Sequence, residues 1–202
     1  MPAIFITSTG RTGTWFLTQL INDTVQNAWS LHEPKPHFKR EGWHQLTHRP
    51  GFWHKLYFKV PRVYRQLQKK DKWYVETNYH LFASIPLIRQ VWPEAYVIHI
   101  VRDGRAVVRS WLNRYRYLGH THVTPAYFPN PSLSIKDWEA MNPLQKNAWY
   151  WQAVNAYTRQ QEPDLILGFE RIFDEEHADL FTLLNWMKGT TYRADEVKVK
   201  LS

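Results

Sequence analysis

The chain is expected to fold as one α/β domain, a central parallel sheet flanked by helices on both faces. Three observations carry that expectation. Short apolar runs recur along the sequence, and each is followed by a segment whose apolar residues repeat at helical spacing. Read in order they give β-α-β-α-β-α-α-β-α, a succession that makes a parallel sheet with right-handed crossovers. With 202 residues, 44% of them apolar, there is enough material for one substantial core and too little for two comfortable domains.

The first strand spans residues 3–6, an uninterrupted apolar run that ends in a Thr/Ser/Gly turn. Phe16, Leu17, Leu20 and Ile21 then recur as one face of a helix. Residues 73–75 read as a second strand and residues 86–91 as a two-turn helix behind Pro86. Residues 95–101 form the longest strand-like run, expected near the middle of the sheet. Asp103 offers an N-cap for a helix whose Val107, Val108, Trp111, Leu112 and Tyr115 share a face. A Pro-rich loop follows between residues 119 and 133. Residues 143–161 then read as a helix, 165–169 as a strand and 174–188 as a closing helix.

Composition narrows the function classes. Zero cysteines exclude disulfides, thiolate catalysis and cysteine-ligated zinc. No run approaches the roughly 18 apolar residues of a bilayer span. The first apolar run breaks into polar residues 7–14 before a secretory h-region forms, so a cytoplasmic protein is expected. His44 and His48 stand four apart and His120 and His122 flank one residue, but neither pair has a convincing third ligand, so no metal is expected. His99, inside an apolar strand, reads as a hydrogen-bonded core histidine.

The net charge of +8 is unevenly placed. Residues 35–72 hold 11 Lys and Arg against 2 acids, a balance of +9, which leaves −1 for the rest of the chain. Phe38, Trp43, Phe52, Trp53, Tyr57, Phe58 and Tyr64 are interleaved with these cations. Such a segment suits an anionic or sugar-like partner, or a nucleic acid gripped through phosphates and stacked bases; a solvated face with aromatic anchors in the core is the plainer alternative.

Two loops carry the chemistry. Thr7, Ser8, Thr9, Gly10, Arg11, Thr12, Gly13 and Thr14 join the first strand to the first helix. Glycines there let backbone N–H groups converge on an anion, the helix N-terminus adds its dipole, and Arg11 adds full charge. The spacing and the missing lysine exclude a Walker A loop, which weakens a kinase-like phosphotransferase reading, and G-x-G-x-x-G is absent too. The second loop follows residues 97–101, with Arg102 just beyond the strand and Ser110 two helical turns on. Both side chains are expected at one ligand edge.

Together, residues 9–15 (TGRTGTW) and the Arg102/Ser110 pair resemble the sulfotransferase family that uses 3'-phosphoadenosine 5'-phosphosulfate, PAPS. Glu170, in FERI at 169–172, is similar to that family's late acidic segment, so the resemblance spans residues 4–173. It implies a P-loop-kinase-like three-layer sandwich, a single sulfotransferase domain over residues 1–202, and PAPS as co-substrate without metal. By the resemblance Gly10, Arg11, Thr12, Gly13, Thr14 and Trp15 hold the 5'-phosphosulfate and Arg102 and Ser110 the 3'-phosphate. Two departures stand out. Arg11 replaces the lysine of many cytosolic members, keeping the charge and adding a bidentate fork. The Gly-rich basic segment that completes the 3'-phosphate site in those members is missing; Lys188, Arg193 or the basic segment are the substitutes.

Sulfuryl transfer needs cations and N–H donors on the leaving side, which Arg11 and the loop amides supply, and a base on the acceptor side. Glu33, in LHEPK at 31–35, resembles the glutamate base of carbohydrate-type, tyrosyl-protein and bacterial members. His32 and His80 are rivals for that role. The strand on which aryl and steroid sulfotransferases carry a histidine here offers Glu76, Thr77 and Asn78, expected to orient the acceptor. The resemblance implies a small-molecule, glycan or glycolipid acceptor, approached through residues 35–72, and no nucleic acid.

Overall fold

A computed structural model describes residues 3–35, 46, 51–68, 71–115, 123–129, 133–187 and 191–192. Its centre is a five-stranded, wholly parallel sheet in the order β3-β4-β1-β5-β6, with β1 Ala3–Ser8, β3 Ala28–His32, β4 Trp73–Thr77, β5 Tyr96–Val101 and β6 Leu165–Gly168. A two-residue strand β2, Val25–Gln26, pairs antiparallel with β7, Thr191–Tyr192. The expected sandwich is therefore present, its five-stranded sheet holding one strand more than the apolar runs indicated. That strand is β3, which occupies the sheet edge, while β1 rather than β5 takes the middle.

Alternation along β1 divides the core into layers. Ile4 and Ile6 face a cluster completed by Ile98 and Ile100 of β5, Leu167 of β6, and Leu17, Leu20 and Ile21 of α1, Thr14–Thr24. Leu180, Leu183 and Leu184 of α8, Ala178–Trp186, close the same layer. Ala3 and Phe5 point the other way, onto Tyr74 and Val97. There they meet Phe58 of α2, Phe52–Gln68, and Leu87 and Ile88 of α3, Ile85–Val91. A third cluster joins Val107, Val108 and Trp111 of α4, Gly104–Tyr115, to Tyr150, Val154 and Tyr157 of α6, Pro143–Gln160. Shorter helices are α5, Ile135–Ala140, and α7, Phe169–Ile172.

Helix boundaries follow their caps. Asp103 accepts the Ala106 N–H through Oδ1 at 3.0 Å, as its position before α4 predicts. Asn142 and Gln145 form a reciprocal capping box ahead of α6, at 3.0 and 2.9 Å.

The attachment of α2 is unusual. Arg62, with no exposed surface, makes a two-pronged ion pair with Glu76 of β4, both bonds at 2.7 Å. The Tyr74 hydroxyl donates to the same carboxylate at 2.9 Å. Such a pair contributes little net stability against a well-packed apolar replacement, but losing one partner costs about 3–5 kcal/mol. Two sequence expectations change here: Arg62 is not part of the exposed cationic surface, and Glu76 is engaged by Arg62 and Tyr74 rather than offered to an acceptor.

Candidate functional site

Every candidate residue on the sheet sits at the carboxyl ends of the strands, the position where ligands bind in open parallel sheets. Glu33 follows β3, Thr77 ends β4 with Asn78 after it, the loop of residues 9–13 follows β1, and Arg102 follows β5. Neighbouring strands are about 4.8 Å apart, so the ends of β3 and β1 lie about 10 Å from one another.

The loop after β1 is built by its own side chains. Ser8 Oγ accepts the Gly10 N–H at 3.0 Å and the Thr12 hydroxyl at 2.7 Å. The Thr9 hydroxyl turns onto the Gly10 carbonyl. These hydroxyls fix the turn. The backbone takes left-handed φ at Gly10 (86°), Arg11 (59°) and Gly13 (66°). Gly13 serves as N-cap of α1 with no side-chain cap on the helix. The first N–H groups of α1 thus meet the loop without a side-chain oxygen in front of them, the arrangement that favours an oxyanion. A Cβ on Gly13 would stand 3.1 Å from the rings of Phe169 and Phe173, so its position depends on both φ and space.

The Arg11 side chain reaches across to α4, where its Nε donates to Ser110 Oγ at 2.9 Å. Arg102 Nη1 donates to the Arg11 carbonyl at 2.7 Å, and the Arg102 guanidinium lies 4.1 Å above the Phe169 ring. The two loops, nearly 100 residues apart in sequence, therefore meet at one cationic cleft of about 420 Å³ lined by Arg11, Arg102, Ala106, Arg109, Ser110 and Asn113. Arg102 Nε is buried and has no partner among the described residues. A buried, unpaired guanidinium N–H beside two further arginines fits a phosphate-like group. The expected separate cradles share a cation, Arg11.

Arg109 and Asn113 were not singled out from sequence. The signal was available: residues 106, 109, 110 and 113 repeat at i, i+3, i+4 and i+7, one stripe of α4. Trp151 was missed too. Its Nε1 donates to the Arg102 carbonyl at 3.2 Å, while Glu170 Oε1 accepts the Asp103 N–H at 3.1 Å, and together they hold the turn after β5. Asp103 itself is held down to about 2 by hydrogen bonds from Arg105 and from the Ala106 N–H.

On the other side of β1, the Glu33 N–H donates to the Thr77 carbonyl at 2.9 Å, and Glu33 adopts a left-handed φ of 43°. Its Oε1 lies 3.7 Å from His32 Nε2. His32 Nδ1 is 2.9 Å from Thr77 Oγ1, and that hydroxyl is 2.7 Å from Thr18 Oγ1 and donates to the Thr14 carbonyl at 3.2 Å. Desolvation by burial lowers the His32 pKa, against the opposing pull of Glu33 and the Thr77 hydrogen bond. Thr77 and Asn78 are fully buried, and Asn78 Oδ1 caps the following turn by accepting the His80 N–H at 3.0 Å. Glu33 does not line the arginine cleft. Trp15, at the first turn of α1, is 61% exposed.

His44, His48, His120, His122, Lys188 and Arg193 lie outside the described residues. Among the described residues no group of three or more His, Asp or Glu is placed to hold a metal ion, and no helix is long and apolar enough to cross a membrane.

Comparison with known proteins adds an independent line. The model of the sulfotransferase family matches residues 48–174. The fold is similar to that of the mouse sulfotransferase SULT7A1 complexed with PAP, at TM-score 0.57 and 13% identity over 100% of this chain and 65% of that one. It is also similar to sulfotransferase STF1 from Mycobacterium tuberculosis H37Rv, at TM-score 0.53 and 14% identity over 99% of this chain and 70% of that one. A sulfotransferase from Alicyclobacillus acidocaldarius aligns at TM-score 0.51 and 15% identity, covering 91% of this chain and 78% of its own. The chain thus spans about two thirds of the mouse protein's length. No curated protein sequence matches it significantly.

Proposed function

The chain belongs to the sulfotransferase family, and from that premise we propose that it moves a sulfuryl group from PAPS to a hydroxyl or amine acceptor. The observation that supports this reading best is the junction of Arg11, Arg102 and Ser110 in one cleft, because a bisphosphorylated nucleotide needs two anion-binding segments that face each other. In this reading Arg102, Ser110 and Arg109 take the 3'-phosphate. The N–H groups of residues 12–15, freed by the turns at Gly10 and Gly13, take the 5'-phosphosulfate. Arg11 stands between the two phosphates, and the exposed ring of Trp15 offers a flat surface beside them.

The acceptor oxygen attacks sulfur in line, a new sulfur–oxygen bond forms, and the bond from sulfur to the 5'-phosphate oxygen breaks. Charge grows on that phosphate, where Arg11 and the loop N–H groups stabilise it. The acceptor proton passes to the Glu33 carboxylate, which His32 and the Glu33–Thr77 backbone bond orient. The acceptor itself, a small molecule, glycan or glycolipid, approaches from the side of residues 35–72.

Thermal unfolding with and without 3'-phosphoadenosine 5'-phosphate tests the nucleotide assignment. At about 100 times its Kd the nucleotide stabilises the fold by roughly 2.7 kcal/mol, a rise of about 5–10 °C for a chain of this size. Arg102→Ala removes most of that rise. An equal rise with ATP, which lacks the 3'-phosphate, overturns the assignment.

A further inference from the structure

Helix α2 turns two polar side chains inward beside Phe58. Its buried positions are Phe58, Arg62 and Gln66, while Trp53, Tyr57, Val60, Tyr64 and Leu67 are exposed, Trp53 to 77% and Tyr64 to 64%. The exposed five follow at intervals of four, three, four and three residues. At about 100° per residue they form one stripe centred opposite Arg62, about 21 Å long from Trp53 to Leu67. Phe52, 67% exposed, packs edge-on against Trp53 at 5.4 Å, beside the start of the stripe. A helix that buries an arginine and a glutamine beside Phe58 while Trp53, Val60, Tyr64 and Leu67 stay exposed departs from the usual amphipathic placement.

Charge selects the occupant. Residues 51–68 contain Lys55, Lys59, Arg62 and Arg65 and no acid, and Glu76 neutralises Arg62 alone. Lys59, exposed, lies roughly 120° to one side of the stripe, where its long aliphatic stem can lift its charge toward anions level with the aromatic rings, whereas Arg65, half-buried, donates to the Lys35 carbonyl. A second copy would bring the same cations against one another. Nucleic acid would leave Val60 and Leu67, which have no ring to stack on a base, facing polar groups. A bilayer containing anionic lipid satisfies both features: hydrocarbon takes the ridge, Trp and Tyr sit at headgroup level, and Lys59 meets lipid phosphates. We propose that the outward face of α2 is a docking surface for anionic membrane, on which the protein lies peripherally. The proposal stands independently of the sulfuryl-transfer reading.

The test is co-sedimentation of the intact chain, without nucleotide, with vesicles of phosphatidylcholine alone or of phosphatidylcholine and phosphatidylglycerol in equal parts. The protein pellets with the mixed vesicles, stays in solution with the neutral ones, and is released by salt. Trp53→Ser with Tyr64→Ser lowers the partition coefficient by roughly tenfold or more. Lys59→Glu lowers it by about fivefold or more. All these positions are exposed, and unchanged melting of the variants establishes that they remain folded. Any of three results overturns the proposal: equal pelleting of the double variant and the parent, equal pelleting on neutral and anionic vesicles, or no vesicle binding. A dimer or an oligonucleotide complex lost in the double variant, with no vesicle binding, assigns the face to that partner instead. Failure of the nucleotide test leaves the pelleting result untouched, so the two readings are separable.

Discussion

Glu33 owes its place to three local features. The strand before it pairs His32 with Thr77, its own N–H is tied to the Thr77 carbonyl, and its backbone turns through a left-handed φ of 43°. The carboxylate is thereby presented at the strand end while its neighbour His32 is held by the Thr77 hydroxyl. Replacing Glu33 with Gln keeps the shape and removes the proposed proton acceptor, so turnover is expected to fall by about 10²–10⁴ with the nucleotide-dependent rise in melting temperature retained. Retained turnover in E33Q transfers the base role to another group. Thr77→Val separates positioning from proton transfer: it deletes the hydroxyl that meets His32 Nδ1, Thr18 and the Thr14 carbonyl. A loss of about 1–3 kcal/mol in stability is expected, with kcat lowered and nucleotide binding unchanged.

At the scale of elements, the site depends on how α4 and α6 meet behind the turn after β5. Gly104 opens α4 directly against Trp151, where an added Cβ would stand 2.9 Å from the indole. Gly104→Ala must displace that ring and with it the bond to the Arg102 carbonyl. The expected result is a weaker nucleotide response with a stability loss of about 1–3 kcal/mol, the usual cost of overpacking, read from melting with and without 3'-phosphoadenosine 5'-phosphate. A full nucleotide response in G104A removes Trp151 from the support of Arg102. The elements that compose this junction were legible in sequence, because β1 and β5 carry apolar runs, broken in β5 by His99 alone, α4 carries a single apolar face, and Asp103 is a clear cap. Arg102 and Ser110 were legible for the same reason, since strand end and helix phase fix where they point. What escaped was β3, an edge strand whose apolar residues alternate with Ser30 and His32, and α2, whose apolar stripe faces outward and whose interior contains Pro61. Periodicity reports that a helix has a face, but not which neighbour the face meets. That Arg62 points inward depends on Glu76 of a strand not yet formed when α2 is read.

For the whole molecule, acid is the sensitive direction. His99 has no exposed surface, its Nε2 donates to Asn155 Oδ1 at 2.8 Å, and burial brings its pKa down to about 4. Asn155 is oriented by its own donation to the Trp151 carbonyl, so His99, Asn155 and Trp151 tie the inside of β5 to the Arg102 turn through α6. In the unfolded chain an imidazole takes its proton near 6.5. Between pH 6.5 and about 4 the unfolded state therefore binds more protons than the folded one, and stability rises with pH across that window. The His99 contribution is complete above pH 6.5 and amounts to roughly 3 kcal/mol, lost as the pH falls toward 4. His32, also lowered by burial, acts in the same direction. Urea unfolding at a series of pH values is expected to show this slope in the parent chain. His99→Gln can still donate to Asn155 but carries no titrating group, so its profile should be flatter between pH 6.5 and 4. Parallel profiles for the two proteins would mean that His99 accepts a proton in the folded state near its ordinary pKa, and that the clamp on the Arg102 turn tolerates a buried imidazolium.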